Sequence, residues 1–166
     1  MWMDAKGSTV LSDSECLRQL ALVAGRGQVG RLGISTGQAP VIIPVNFTVV
    51  GRHLLLRAGE GFTAQAANHQ LVAFEVDFAD AERGEAISVL ARGLARLNRE
   101  PTPDELALAP QPLVPEPGAM VLTIRIDVLT GRRFILPGAA SPPEGSGEDQ
   151  PAPGEHPMPS FSSAGV

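Results

Sequence analysis

The chain predicts a mainly β domain with minor helix, built from about six strands closed into an antiparallel barrel or sandwich. Three observations predict this. Apolar residues alternate with period two through several stretches between Arg31 and Val128. Short turns of hairpin length, Thr36-Gly37-Gln38 and Gly51-Arg52, join consecutive stretches. Helical periodicity is confined to the start of the chain and to short insertions, so the repeated βαβ spacing of a doubly wound parallel sheet is missing.

The elements follow in order. Residues 12–24 read as a helix. Ser12 followed by Glu15 forms a capping box, Leu17, Leu20, Ala21 and Ala24 recur at helical spacing, and Gly25 is a plausible stop. Leu32 and Ile34 then alternate with Arg31, Gly33 and Ser35. Val41–Val50 reads as one long strand with Val41, Ile43, Val45, Phe47 and Val49 on one face, and Leu54–Arg57 as its return. Ala-rich residues 62–68 suit a short helix. Leu71–Phe78 places Val72, Phe74, Val76 and Phe78 opposite Glu75 and Asp77; a polar loop, 80–84, leads to Ile87–Leu97. A short helical turn started by Thr102 or Asp104 precedes a Pro-rich connection ending at Pro117. Met120–Val128 is the last long strand, Thr130-Gly131 reads as a turn, and Arg132–Leu136 as a short edge segment.

Composition bounds the function. At 166 residues and 43% apolar content, the chain has enough material for one buried core. The net charge of −5 speaks against a nucleic-acid partner. No apolar run reaches the ~20 residues of a membrane span, and no secretory signal is evident near Met1. The lone Cys16 has no internal disulfide partner, which fits a cytoplasmic protein. Histidines at 53, 69 and 156 lack zinc spacing, so no metal site is expected. Lys6 is the one lysine, which excludes lysine chemistry from the body of the chain. Residues 138–166 hold Glu144, Glu148, Asp149 and Glu155, no Lys or Arg, and much Pro, Gly and Ser. They read as a disordered, solvated acidic tail. The expected organisation is an N-terminal segment 1–11, a domain 12–137 and the tail.

Two motif matches fail on context. Gly25-Arg26-Gly27-Gln28-Val29-Gly30 spells GxGxxG, but a helix precedes it and a strand follows, the reverse of what a pyrophosphate needs. Gly33-Ile34-Ser35-Thr36-Gly37 spells GxSxG, but a strand and not a helix leaves it, so no nucleophile elbow forms. His69 is expected at a helix C-terminus, Cys16 as a packed thiol, and Glu75 and Asp77 as a solvated polar face.

A further set of segments carries a resemblance. Pro44-Val45-Asn46-Phe47-Thr48-Val49-Val50-Gly51, Leu55-Leu56-Arg57, Val72-Ala73-Phe74-Glu75-Val76-Asp77 and Ser88-Val89-Leu90-Ala91-Arg92-Gly93, in that order, resemble the pyridoxamine 5'-phosphate oxidase-like family, the FMN-binding split barrel, in its small bacterial branch. Arg31-Leu32-Gly33 and Thr130-Gly131-Arg132-Arg133 fit the same branch. The resemblance implies a six-stranded antiparallel split β-barrel with flanking short helices. It implies a homodimer with FMN at the subunit interface and a flavin-dependent oxidoreductase acting on a small molecule of unspecified identity. Carried over residue by residue, Val45, Asn46 and Phe47 resemble the strand whose backbone lies along the flavin ring. Arg57 resembles a phosphate ligand, Gly61 to Thr63 the phosphate-binding loop at a helix start, and Ser88 a residue near the ring. No acid or base is assigned.

The chain departs from the pattern. A small hydroxyl residue followed by lysine is expected where Phe62 and Thr63 stand, a threonine where Ala58 stands, and a tryptophan where Ile87 stands. Related branches of this fold hold deazaflavin or haem, or no cofactor. A degenerate barrel that binds or senses without turnover is therefore the alternative expectation.

Overall fold

The computed structural model describes residues 8–37, 39–111 and 120–136. The acidic tail 138–166, most of the Pro-rich connection and most of the N-terminal segment lie outside the described residues. Among the described residues there are eight strands and three helices: β1 (Ser8–Val10), α1 (Asp13–Gly25), β2 (Gly30–Ile34), β3 (Val41–Val45), β4 (Thr48–Val50), β5 (His53–Ala58), α2 (Phe62–Ala67), β6 (Leu71–Asp80), β7 (Glu85–Asn98), α3 (Pro103–Leu108) and β8 (Met120–Ile135).

The strands form one antiparallel sheet in the order β3-β2-β6-β7-β8-β5-β4, with β1 added on β8. β3 and β4 are the two ends of this path, yet only Asn46 and Phe47 separate them in the chain. The sheet must therefore curl until its edges approach each other, and the result is the split barrel the sequence predicts.

That closure explains the first difference from the expected elements. Residues 41–50 are not one strand. Val41–Val45 pairs with β2, whereas Thr48–Val50 pairs with β5 at the other end of the sheet. Alternation nonetheless runs through the break, because Val45, Phe47 and Val49 all pack against the core. Alternation reports the face of a side chain and carries no information about which strand lies alongside.

β8 supplies the second difference. Thr130-Gly131 makes no turn but continues β8, opposite Leu90 and Val89 of β7. A bulge disguises this. Arg92 pairs with Val128 and Gly93 with Ile126, so Asp127 is an extra residue. The alternation changes phase there: Ile124 and Ile126 point inward before it, Leu129 and Gly131 after it. Glycine at 131 serves close approach, since a Cβ there would lie 2.6 Å from Cys16 Sγ. Glycine at 93 serves the bulge, since its Cβ would lie 1.7 Å from the Arg125 carbonyl oxygen. β1, which pairs Ser8–Val10 with residues 132–134, is a further strand that the sequence reading did not assign.

The core fills the curl with Leu32, Ile34, Leu54, Leu56, Phe74, Val76, Val89, Leu122 and Ile124, all at most 2% exposed. Phe47 and Phe74 meet edge to face at 4.7 Å. α1 packs Cys16, Leu20 and Val23 into this core from β4, β7 and β8. Its capping box is as expected: the Ser12 N–H donates to Glu15 Oε2 at 2.9 Å, and the Glu15 N–H donates to Ser12 Oγ at 3.4 Å. On the outer face, α3 opens with the same device at Thr102 and Glu105. Leu106 and the Ala109 that follows α3 cover Leu55 and Val121 in a small second cluster.

Candidate functional site

β5 alternates inward Leu54 and Leu56 with outward His53, Leu55 and Arg57. Arg57 therefore stands on the sheet's outer face at the α3 end. Thr48 is opposite Leu55; continuing that register by two positions puts Asn46 level with Arg57. The structure brings these two expected site residues together under one covering segment. Arg57 Nη2 donates to the Leu106 carbonyl oxygen, and Asn46 Nδ2 donates to the Gln111 carbonyl oxygen at 2.8 Å. Among the described residues each keeps one buried polar atom without a partner, Asn46 Oδ1 and Arg57 Nε. Leaving such an atom unsatisfied costs about 1–3 kcal/mol. The face thus holds one unfilled acceptor and one unfilled cationic donor at the same level.

The other expected residues divide. Val45 ends β3 opposite Gly30, half-buried. The Phe47 side chain is 2% exposed in the core, so only its backbone is available to a ligand. Thr63 lies in the first turn of α2, shortly after β5 ends, half-buried beside an exposed Phe62. Gly61 caps α2 with no side-chain hydrogen bond. Ser88 lies far away. It sits between Asp77 of β6 and Arg132 of β8, lining a depression of about 260 Å³ with Val10, Thr130 and Phe134. Arg57 is opposite Val121, which is opposite Asn98. From Asn98 back to Ser88 is ten residues of β7, roughly 30 Å along the strand. One protomer does not bring Ser88 to Arg57.

The remaining candidates take the plain roles expected of them. Glu75 and Asp77 both bind Arg31, Glu75 through Oε2 at 2.9 Å, and this raises the Arg31 pKa, Asp77 contributing first and Glu75 second. The Cys16 thiol is pushed up, first by burial and then by the charges of Asp13 and Glu15, the opposite of an activated nucleophile. His69 is exposed and takes a left-handed backbone, φ 61°, its N–H donating to the Ala95 carbonyl at 2.9 Å. The GxGxxG stretch spans the α1–β2 connection, with Gly27 at φ 66°, and the GxSxG stretch spans the end of β2 and the start of the β2–β3 connection. Among the described residues no cluster of His, Cys, Asp and Glu could hold a metal ion, and no helix is long and apolar enough to cross a membrane.

Sequence reasoning missed the carbonyls of Leu106 and Gln111. They are main-chain groups, and nothing in side-chain identity marks them. The one available signal was the Thr102–Glu105 capping box, which fixes where α3 begins but not what it covers.

Comparisons with known proteins agree with this architecture. The sequence profile of the family described as pyridoxamine 5'-phosphate oxidase matches residues 12–133. Among solved structures, the chain is similar to the FAD-binding protein from Mycobacterium smegmatis at 34% identity and a TM-score of 0.61, covering 76% of this chain and 99% of that one. It is similar to a candidate pyridoxamine 5'-phosphate oxidase from Corynebacterium glutamicum at 30% identity and a TM-score of 0.63, covering 81% and 98%. An FAD-binding protein from Mesorhizobium loti, at 21% identity and a TM-score of 0.57 over 76% and 96%, shares the fold. No curated protein matches. With the profile spanning all but β1 and the last residues of the sheet, and the sheet curled as a split barrel, the chain belongs to the pyridoxamine 5'-phosphate oxidase family.

Proposed function

We propose that the protein binds a flavin nucleotide, FMN or the FMN half of FAD, and works as an oxidoreductase on a small molecule. The observation that carries this reading is the pair of buried atoms Asn46 Oδ1 and Arg57 Nε, without a partner among the described residues, on neighbouring positions of one sheet face. They fit the group chemically. An amide oxygen accepts from a flavin N–H or a ribityl hydroxyl, and a guanidinium suits a phosphate. Asn46 and the Val45 and Phe47 backbone would hold the ring edge, and Arg57 and Thr63 the phosphate. The flavin supplies the redox chemistry when bound; this chain supplies binding and orientation. That the 34% identical relative is named as FAD-binding supports the flavin class.

The same reading includes a homodimer in the cytoplasm, with the cofactor at the subunit interface. Two observations support the dimer. Ser88 is too far along β7 to meet Arg57 of its own chain, so a second copy would have to bring it. Ile42 and Leu71, 68% and 75% exposed, flank an apolar groove of about 570 Å³ with Pro40, Ala73 and Val128. Apolar surface gathered this way is characteristic of an interface.

A degenerate barrel without turnover is the second reading. It is favoured by the donors that Asn46 and Arg57 already give to Gln111 and Leu106, and by Thr63 in place of a lysine. Absorbance of the purified protein separates the two. A flavin spectrum, with FMN or FAD released on denaturation, is expected. A Soret band would assign haem instead, and a colourless protein that ignores added FMN, FAD and deazaflavin would establish the degenerate module.

A further inference from the structure

One glycine of the GxGxxG run has a spatial reason that the dinucleotide motif does not supply. Gly30 opens β2 and is buried, on the same inward face as Leu32 and Ile34. A Cβ at position 30 would lie 2.1 Å from Phe74 Cζ and 2.8 Å from both Cε atoms of that ring. Real side chains do not approach so closely. The tip of the Phe74 ring therefore fills the place that a side chain at 30 would take. The register explains how it arrives there. Phe74 of β6 is opposite Leu32, so position 30 is its diagonal neighbour, within reach of an aromatic ring.

The same ring supports both neighbours of Asn46. Gly30 is the cross-strand partner of Val45, the residue before it. Phe47, the residue after it, meets Phe74 edge to face at 4.7 Å. Phe74 and Phe47 are buried, and half-buried Val45 packs on the same core. Asn46 itself lies in the two-residue link between β3 and β4. Ladder pairing stops at Val45 on one side and resumes at Thr48 on the other. Beneath the link, then, stands the Phe47–Phe74 pair, seated on bare backbone at Gly30. Protein interiors are close-packed, so a displaced ring moves its neighbours.

We propose that Gly30 and Phe74 are positioning residues for Asn46. The missing side chain at 30 lets the Phe74 ring sit at the depth that sets where the β3–β4 link, and with it the Asn46 amide, stands on the outer face. This inference rests on the flavin reading of Asn46 and adds what holds that amide in place. A methyl group at 30 must displace the Phe74 ring and Phe47 with it. The amide then moves relative to the Val45 and Phe47 backbone beside it, although neither Gly30 nor Phe74 touches the ligand.

The test titrates the full chain with riboflavin and FMN by flavin fluorescence, well below each variant's thermal midpoint, and reads the Asn46 side-chain amide by NMR in the flavin-free protein. Gly30→Ala should weaken both flavins about tenfold, the worth of a hydrogen bond to the ring, and shift the Asn46 amide signals. Phe74→Leu removes the ring tip. In the double variant the new methyl group has room, so affinity and signals should return toward wild type. Gly25→Ala, whose methyl group would meet nothing within 4 Å, should change neither. In an Asn46→Ala background, Gly30→Ala should cost little more, because both changes act through one contact. A lower thermal midpoint with wild-type affinity and unshifted Asn46 signals in Gly30→Ala would show packing alone and overturn the proposal. A full further loss in the Asn46→Ala background, or no recovery in the double variant, overturns it as well. If Gly30→Ala alone does not fold, Phe74→Leu is compared with and without it; the added methyl group should tighten flavin binding, and unchanged affinity overturns the proposal. A wild type that binds neither flavin refutes the flavin reading, and this proposal with it, an outcome distinct from the others, in all of which flavin binds.

Discussion

At the scale of single residues, Arg57 and Asn46 hold the interest of the site because each spends one polar atom on the covering segment and leaves another buried and unfilled. If flavin binds there, Arg57→Ala should weaken FMN by about 2–3 kcal/mol, the range for a charged hydrogen bond, and change riboflavin little. Thr63→Lys should tighten FMN alone, because it returns a cation beside the phosphate. Titrating both variants with both ligands checks this, and an equal loss of FMN and riboflavin in Arg57→Ala would refute the phosphate role. A second residue pair reports on packing. Gly131→Ala sets a methyl group 2.6 Å from Cys16 Sγ and 3.2 Å from a Leu11 methyl group. Overpacking of this kind costs about 1–3 kcal/mol. Cys16→Ala should recover part of that loss in the double variant, as read by urea unfolding, whereas a turn glycine at 131 would show no such coupling.

At the scale of elements, the two capping boxes make a pH-dependent contribution. Hydrogen bonds from Ser12 hold the Glu15 carboxyl below its ordinary pKa of 4.5, and those from Thr102 do the same for Glu105. A carboxyl whose native pKa is lowered stabilises the fold fully above its unfolded pKa and loses that contribution as pH falls through the native value. Glu15→Ala and Glu105→Ala should therefore melt below wild type at pH 7, and the gap should close on acidification below about 4.5. Thermal midpoints measured from pH 7 to pH 3 decide it; a gap constant with pH would mean that packing, not the ionised cap, sets the difference. α3 matters beyond its own stability, since its capped start sets where Leu106 and Gln111 lie over Arg57 and Asn46.

At the scale of the whole molecule, one curled sheet buries its main core inside the curl and leaves apolar residues on its outer face. Leu71 and Ile42 are already in water in the protomer. Leu71→Asp should consequently leave the fold intact and dissociate the proposed dimer, and a cofactor held between subunits should be lost with it. Light scattering and circular dichroism together test this. A monomeric wild type at micromolar concentration would rule out the dimer and the interfacial site at once.

The sequence by itself determined the local features. The Ser12–Glu15 cap, the Gly51-Arg52 turn, the inward face of β6, and the failure of both glycine motifs follow from neighbours a few residues apart, where backbone geometry and side-chain period act directly. The ordered segments from Pro44 to Gly93 also marked the family, and with it Asn46 and Arg57. Tertiary structure alone decided which strand pairs with which. Val41–Val50 reads as one strand because its alternation is unbroken, yet it divides at Asn46 when the curled sheet hands the chain from β2 to β5. Thr130-Gly131 reads as a turn because it follows a change of phase, yet the bulge at Asp127 and the approach of Cys16 make it strand. The same reason governs the site. Arg57 meets Leu106 and stands far from Ser88 through hydrogen-bond registers between distant segments, and register is a property of the curled sheet that no local pattern contains.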